Sequence, residues 1–395
     1  MAAWWHMLLV LTSTLSCYLA LVFLTLSAPE LRVQAADASS PSLSQSLTGL
    51  DLSPLLPIWN SFYGVSVGVG YKSNVLLARN EAESSGFAAT RLDFILWRRP
   101  IEDGREFLLS ITGADRRYWA SESITHDDVG LAHARYLHEL GEHWQGVLEL
   151  DGSYLDQVLD TSFNDSPRAR RRVQGAVLGG TPGMRWRFNE RDWIQLSPVI
   201  SRTWLRSPYD SYSDLGGQLS WGHNYGMKSD WRLEYTGRAR LQDDSRQATL
   251  SGVPLPGSDL QYQRHDFQWA DHHYWDAAKR IHTSTRIGGR LSYDNGPGYY
   301  DSWRVWLAEQ LQYRLNRWEF TFEGGVSFSR YPQQQVGSQG ESRRFTEWSG
   351  LARIERRLGL RWKLYGDFSY ERSQATDAFE AFTASTVETG IRFEF

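Results

Sequence analysis

From Leu360 to Arg372 the chain alternates: Leu360, Trp362, Leu364, Phe368 and Tyr370 fall on one side, Arg361, Lys363, Asp367, Ser369 and Glu371 on the other. Trp231 to Leu241 repeats the pattern, with Trp231, Leu233, Tyr235, Ala239 and Leu241 opposed to Arg232, Glu234, Thr236, Arg238 and Arg240. A period of two is that of a β-strand with one apolar and one polar face. The last ten residues do the same, setting Val387, Ile391, Phe393 and Phe395 against Glu388, Arg392 and Glu394. No helical period sustains itself downstream of Thr48. From Phe62 onward the alternation divides into about sixteen segments of about ten to fifteen residues, the length tilted membrane strands require. Fourteen and eighteen strands remain open.

The connections sort by length. Short turns at Gly141-Glu142, Asn189 to Arg191, Gly226 to Asp230, Asn316-Arg317 and Gly359 alternate with polar loops at Lys72 to Gly86, Asp156 to Ala169, Gln242 to Gln261, Tyr331 to Arg344 and Ser373 to Ala384. One rim is therefore tight and the other elaborate. Together these features predict an all-β fold, a transmembrane antiparallel up-and-down β-barrel over residues 61–395 with both ends at the tight rim. A Lys or Arg facing lipid near midplane costs about 2–4 kcal/mol, so the charged faces point inward. Glu309 breaks the rule, sharing a face with Val305, Leu307 and Leu311. A bulge or a subunit contact in a homo-oligomer would account for it.

Composition fits this class. Hydrophobic residues are 41% of the chain and mean hydropathy is -0.48, yet aromatics reach 14%, with 18 Trp and 19 Tyr. A polar lumen, an apolar wall and aromatic girdles give that mixture. The net charge of -4 makes no case for nucleic acid as a partner. Before the strands, Met7 to Ser27 is almost wholly apolar and Val33-Gln34-Ala35 offers a small-residue cleavage pattern. Residues 1–35 read as a signal peptide and 36–60 as a flexible periplasmic lead-in. An uncleaved anchor is the alternative, because the start carries no Lys or Arg. The lone cysteine, Cys17, leaves the mature chain without a thiol, and no motif calls for a cofactor.

The inward charges are unevenly distributed. Arg232, Arg238, Arg240, Arg264, Arg286 and Arg290 form a basic run, with Arg280 and His282 beside it. Glu319, Glu323, Glu347, Glu355, Asp367, Glu371 and Glu388 form an acidic one, relieved by Arg353, Arg361, Lys363 and Arg392. Facing each other across water, two such walls would orient polar solutes and give ion selectivity. The alternative is that these charges solvate the wall and pair with their neighbours.

Several motifs carry no chemistry in this setting. Gly64 to Gly68 matches a nucleophile pattern, but that pattern needs a strand-to-helix turn. Asp271, His272 and His273 cannot chelate together, because adjacent strand residues point to opposite faces. A barrel enzyme would need a compact Ser, His and acid constellation at the loop rim; none stands out, and His126, Asp127 and Asp128 in one outer loop keep that reading open. Arg168, Arg170, Arg171 and Arg172 open a strand at the long-loop rim, where they could hold phosphates of outer-leaflet glycolipid or form a solvated loop end.

The apparent signal, the alternating loop lengths and the final aromatic strand together resemble bacterial outer-membrane β-barrel proteins of the porin kind. The resemblance implies an integral outer-membrane channel for passive diffusion of small hydrophilic solutes, without enzymatic activity. It also implies that Phe393 and Phe395 are read by the barrel-assembly machinery. Gly68 to Leu77 (GVGYKSNVLL) resembles the opening of barrel domains in the surface lipoprotein assembly modifier family. The alternative function is a non-conducting scaffold or export partner whose lumen is filled by side chains or an inserted segment. The longest loop, Gln242 to Gln261, is expected to fold inward, since Pro254 and Pro256 allow a compact path.

Overall fold

The computed structural model describes residues 57–79, 82–100, 104–159, 171–226, 228–336 and 340–395. Residues 1–35, most of the lead-in, Arg168, Arg170 and the side chain of Arg171 lie outside them. The strands are β1 (Trp59–Lys72), β2 (Ser85–Arg98), β3 (Arg105–Tyr118), β4 (His126–Glu139), β5 (Trp144–Leu159) and β6 (Arg171–Arg187). They continue with β7 (Asp192–Leu205), β8 (Tyr212–Tyr225), β9 (Ser229–Gln242), β10 (Gln261–Tyr274) and β11 (Ile281–Asp294). The last are β12 (Ser302–Leu315), β13 (Trp318–Val336), β14 (Glu341–Arg357), β15 (Trp362–Ala375) and β16 (Phe382–Glu394). Each pairs antiparallel with its neighbours in sequence, and β1 pairs with β16, so sixteen strands close the barrel.

The register assigns every side chain to a face. Val67, Leu92, Ile111, Leu150, Leu178, Ile200, Leu233, Ile287 and Val387 lie on the outer face, all exposed. Trp59, Trp144, Trp186, Trp221, Trp318 and Trp362 ring the short-turn rim, and Tyr71, Tyr154, Trp204, Tyr293 and Trp303 the long-loop rim. Apolar outside, polar inside and closed, the wall satisfies its backbone groups as a membrane requires.

Sequence and structure differ in places. The strand of β1 begins at Trp59 instead of Phe62, and His126 to Asp128 open β4 instead of lying in a loop. Most of Tyr331 to Arg344, expected as a loop, is strand, with a register shift between Tyr331 and Gln335. Arg343 explains the extension: its guanidinium lies 4.9 Å from the Phe345 ring, donates to Glu380 and Gln334, and pins the hairpin above the rim. The loop 243–260 is tied along the rim. The Asp244 and Ser245 amides donate to Asp210, the Asn295 amide donates to the Asp259 carbonyl, and Ala248 bridges Pro254. Its bonds make it a strut between neighbouring loops.

The seam is held by aromatics and thinned by glycines. Tyr63 and Phe395 exchange backbone hydrogen bonds of 2.9 and 3.0 Å, and their rings stack at 5.2 Å. Inside, Gly68 leaves room for the Tyr365 hydroxyl and Gly70 for the Phe87 ring.

Glu309 faces outward, between Trp303 and Tyr313 on its own face. The register runs unbroken from Thr285 through Glu309 to Gly324, so no bulge turns it. Asp271 completes a polar line by pairing with Thr285, and accepts from the Tyr225 hydroxyl at 2.6 Å. Replacing Glu309 with Leu is expected to stabilise the barrel by about 1 kcal/mol, because acids on a lipid face cost less than bases but still cost. Urea unfolding in lipid vesicles measures it. An unchanged midpoint would mean that the carboxyl is already covered in the membrane.

Candidate functional site

All thirteen charged positions singled out in the sequence, Arg232, Arg238, Arg240, Arg264, Arg286, Arg290, Glu319, Glu323, Glu347, Glu355, Asp367, Glu371 and Glu388, lie in the inward phase of their strands. The arrangement differs from two opposed walls. In a ring of sixteen strands the one facing β10 is β2, eight places away, whereas the acidic run starts on β13. The two runs adjoin across β12, where the Arg304 Nη2 donates to Glu347 at 3.3 Å. Up-and-down connectivity causes this, since strands close in sequence are close in space.

The basic run is also largely neutralised. Asp214 on β8 accepts two hydrogen bonds from Arg240, at 2.8 and 2.9 Å, and lies 3.8 Å from Arg238. Asp266 on β10 sits between Arg238 Nη2 and Arg290 Nε, each at 2.5 Å. Arg240–Asp214–Arg238–Asp266–Arg290 is thus a continuous ladder across four strands, three cations against two anions. Its geometry is bidentate at Asp214 and bridging at Asp266, the forms that hold guanidinium groups most rigidly. Arg232 reaches Glu234 at 3.7 Å, and Arg264 lies 5.5 Å from the Tyr262 ring. Arg286 differs. It stands between Ala270 and Ala308 in register and makes neither hydrogen bond nor salt bridge among the described residues.

The acidic run is compensated in the same way. Asp367 accepts from Arg353 at 2.7 and 2.6 Å, Glu355 pairs with Lys363 at 3.3 Å, and Glu388 accepts from the Tyr365 hydroxyl at 2.9 Å and meets Arg116 at 3.4 Å. Glu319 and Glu323 accept from Gln312 and Gln310 at 2.5 and 2.7 Å. Glu371 makes no hydrogen bond or salt bridge among the described residues, which leaves it the acidic counterpart of Arg286.

In the short-turn rim outside the wall, the Arg280 side chain bonds to Asp276 and holds its carboxyl below the usual carboxylate range. Arg280 therefore belongs to a turn and not to the basic wall.

No protein-family model matches the chain, and no curated protein matches it. Among solved structures it is similar to OccAB1 of Acinetobacter baumannii, at 8% identity and a TM-score of 0.45, covering 85% of this chain and 97% of that one. It is also similar to an anion-selective porin from Comamonas acidovorans, at 9% identity and a TM-score of 0.44, over 85% of this chain and 99% of that one. A loop-deletion form of OmpT from Vibrio cholerae matches at 8% identity and a TM-score of 0.40, over 86% and 100% of the two chains. The wall described above is, by its own geometry, that of a transmembrane β-barrel.

Asp214 and Asp266 were not singled out in the sequence, nor were Arg185, Trp193, Gln145 and Gln195, which meet inside the wall near the short-turn rim. Inward phase was the available signal for each of them. Their strand neighbours, which decide the partners, were not.

Proposed function

We propose that the protein is a passive outer-membrane channel for small hydrophilic solutes, driven by the solute gradient and needing no cofactor. The observation that carries this is a closed ring of sixteen strands with a charged, hydrogen-bonded inner face, since barrels of sixteen to eighteen strands leave an aqueous channel. Single-channel conductance in planar bilayers tests it, and a barrel that inserts without conducting would refute it. Two further parts of the proposal are that Phe393 and Phe395 present the terminal signal to the barrel-assembly machinery, and that Arg172 contacts outer-leaflet glycolipid.

Arg286 is the expected selectivity residue of the basic run, because the ladder arginines have carboxylate partners. Substituting Arg286 with Gln should move the reversal potential in a salt gradient toward cations. Replacing Arg238 should move it less, since Asp266 keeps Arg290 as a partner.

A second reading is favoured by tight inner packing. Arg240 and Arg264 are 7% and 8% exposed, and Ser349 is 0% exposed. Side chains would then fill the lumen of a non-conducting scaffold or export partner, and the same conductance measurement separates the two.

A further inference from the structure

Arg185 stands apart from the other inward arginines because neutral groups hold it. Its Nε and Nη2 donate to the Gln195 side-chain oxygen at 3.1 and 2.8 Å, and its Nη1 to the Gln145 oxygen at 3.4 Å. The Gln195 amide is oriented in turn by donating to the Ser197 hydroxyl at 3.1 Å, which turns its oxygen toward the guanidinium. Gln145 and Gln195 are 9% and 4% exposed, so this scaffold is built into the wall.

An aromatic platform completes it. The guanidinium carbon lies 4.0 Å from the centroid of the Trp193 ring. Across the register Trp193 faces Gly222, where an added Cβ would fall 2.3 Å from the indole. Only a residue without a side chain lets the indole lie flat there. Gly183 does the same for Ser197, whose hydroxyl would sit 2.0 Å from an added Cβ.

A guanidinium carries five N–H donors in a planar fork, and three are used by the two glutamines. Two remain. No carboxylate forms a salt bridge with Arg185 among the described residues. Glu149, the acid on the same face of β5, is in register with Arg135, which itself bonds Glu106 at 3.3 Å. Arg135, Arg232 and Arg187 add positive charge near Arg185, partly offset by the Glu149 carboxylate, which stands nearby without forming a salt bridge to it. Fixed in orientation, set over an indole and with no carboxylate in salt-bridge contact, the fork has the geometry of an oxyanion receptor.

We propose that Arg185, Trp193, Gln145 and Gln195 form a binding subsite for a small oxyanion, a carboxylate or a phosphate, at the periplasmic end of the lumen. A carboxylate suits the two remaining donors, which lie in one plane. The subsite rests on the channel reading only for its consequence, a step at which anionic solutes pause before leaving the barrel.

The test does not depend on conduction. The folded barrel in detergent is titrated with trifluoroacetate, as a carboxylate, and separately with fluorophosphate, and 19F line broadening is followed. Saturable broadening is expected in the wild type, with R185Q weakening it at least five-fold and the surface variant R344Q leaving it unchanged. Q195E supplies a second route, since it places a carboxylate on the guanidinium without removing it and should weaken binding at least as much. Heat-modifiable electrophoretic mobility establishes that each variant is folded. Equal broadening in the wild type and in whichever of R185Q and Q195E folds would overturn the subsite, as would no broadening by either probe in the wild type. Stronger binding of fluorophosphate than of trifluoroacetate would make phosphate the ligand. Conductance in potassium chloride is measured in parallel, so a silent channel that binds the probe refutes the channel and leaves the subsite standing.

Discussion

Replacing Asp214 and Asp266 together by Asn is expected to make the barrel markedly anion-selective. Arg240, Arg238 and Arg290 would lose both carboxylates of their ladder, which takes two negative charges off the inner wall beside them. Two added unit charges at several ångströms in a partly screened medium are worth on the order of 1 kcal/mol, or about five-fold in the anion-to-cation permeability ratio. Reversal potentials in a potassium chloride gradient read this directly, and they should return toward the wild type in high salt as screening grows. An unchanged ratio would mean that ions do not pass the ladder. The barrel should still form, because Asn keeps acceptors for the guanidinium donors and the strand ladders are untouched.

The other large effect is expected at the seam. Replacing Gly70 by Val would put a Cβ 2.4 Å from both the Phe87 ring and the Val387 carbonyl oxygen, on the strand that must pair with β16 last in sequence. Ring and carbonyl belong to the two flanking strands, so relief requires one pairing to open. The unclosed wall would expose a row of unpaired backbone groups to lipid, each costing several kcal/mol. Loss of the compact, heat-modifiable band and of protease resistance should follow. A variant at Gly113, where an added Cβ meets nothing within 4 Å, should fold like the wild type and controls for glycine loss itself.

These expectations come from different depths of the molecule. That Arg238 and Arg240 face inward could be read from Trp231 to Leu241 alone, because alternation is a property of one strand and lipid penalises a misplaced charge. Closure could be read from the ordered turns and loops, and a count of about sixteen from the segment spacing, with fourteen and eighteen left open until the pairing of β1 with β16 fixed it. The polar composition of Tyr331 to Arg344 suggests a loop, whereas Arg343 and Phe345 on β14, Gln334 on β13 and Glu380 hold it as a hairpin from three places in the sequence. The placing of the two charged runs has a related cause: strand phase turns each of them inward, while their separation around the ring depends on counting the strands between them.

Sequence by itself therefore determined the fold class, the inward and outward sets and the terminal strand of this protein, since each follows from local periodicity in a medium that tolerates no exposed backbone. Tertiary structure alone decided which charges remain free. Asp214 and Asp266 cancel most of the basic run because antiparallel register sets them beside Arg238, Arg240 and Arg290, and Arg185 escapes cancellation because its neighbours in register are Gln145 and Gln195. The physical reason is range. Facing is decided within a strand, whereas a salt bridge requires atoms within about 4 Å, and only pairing between strands brings them there.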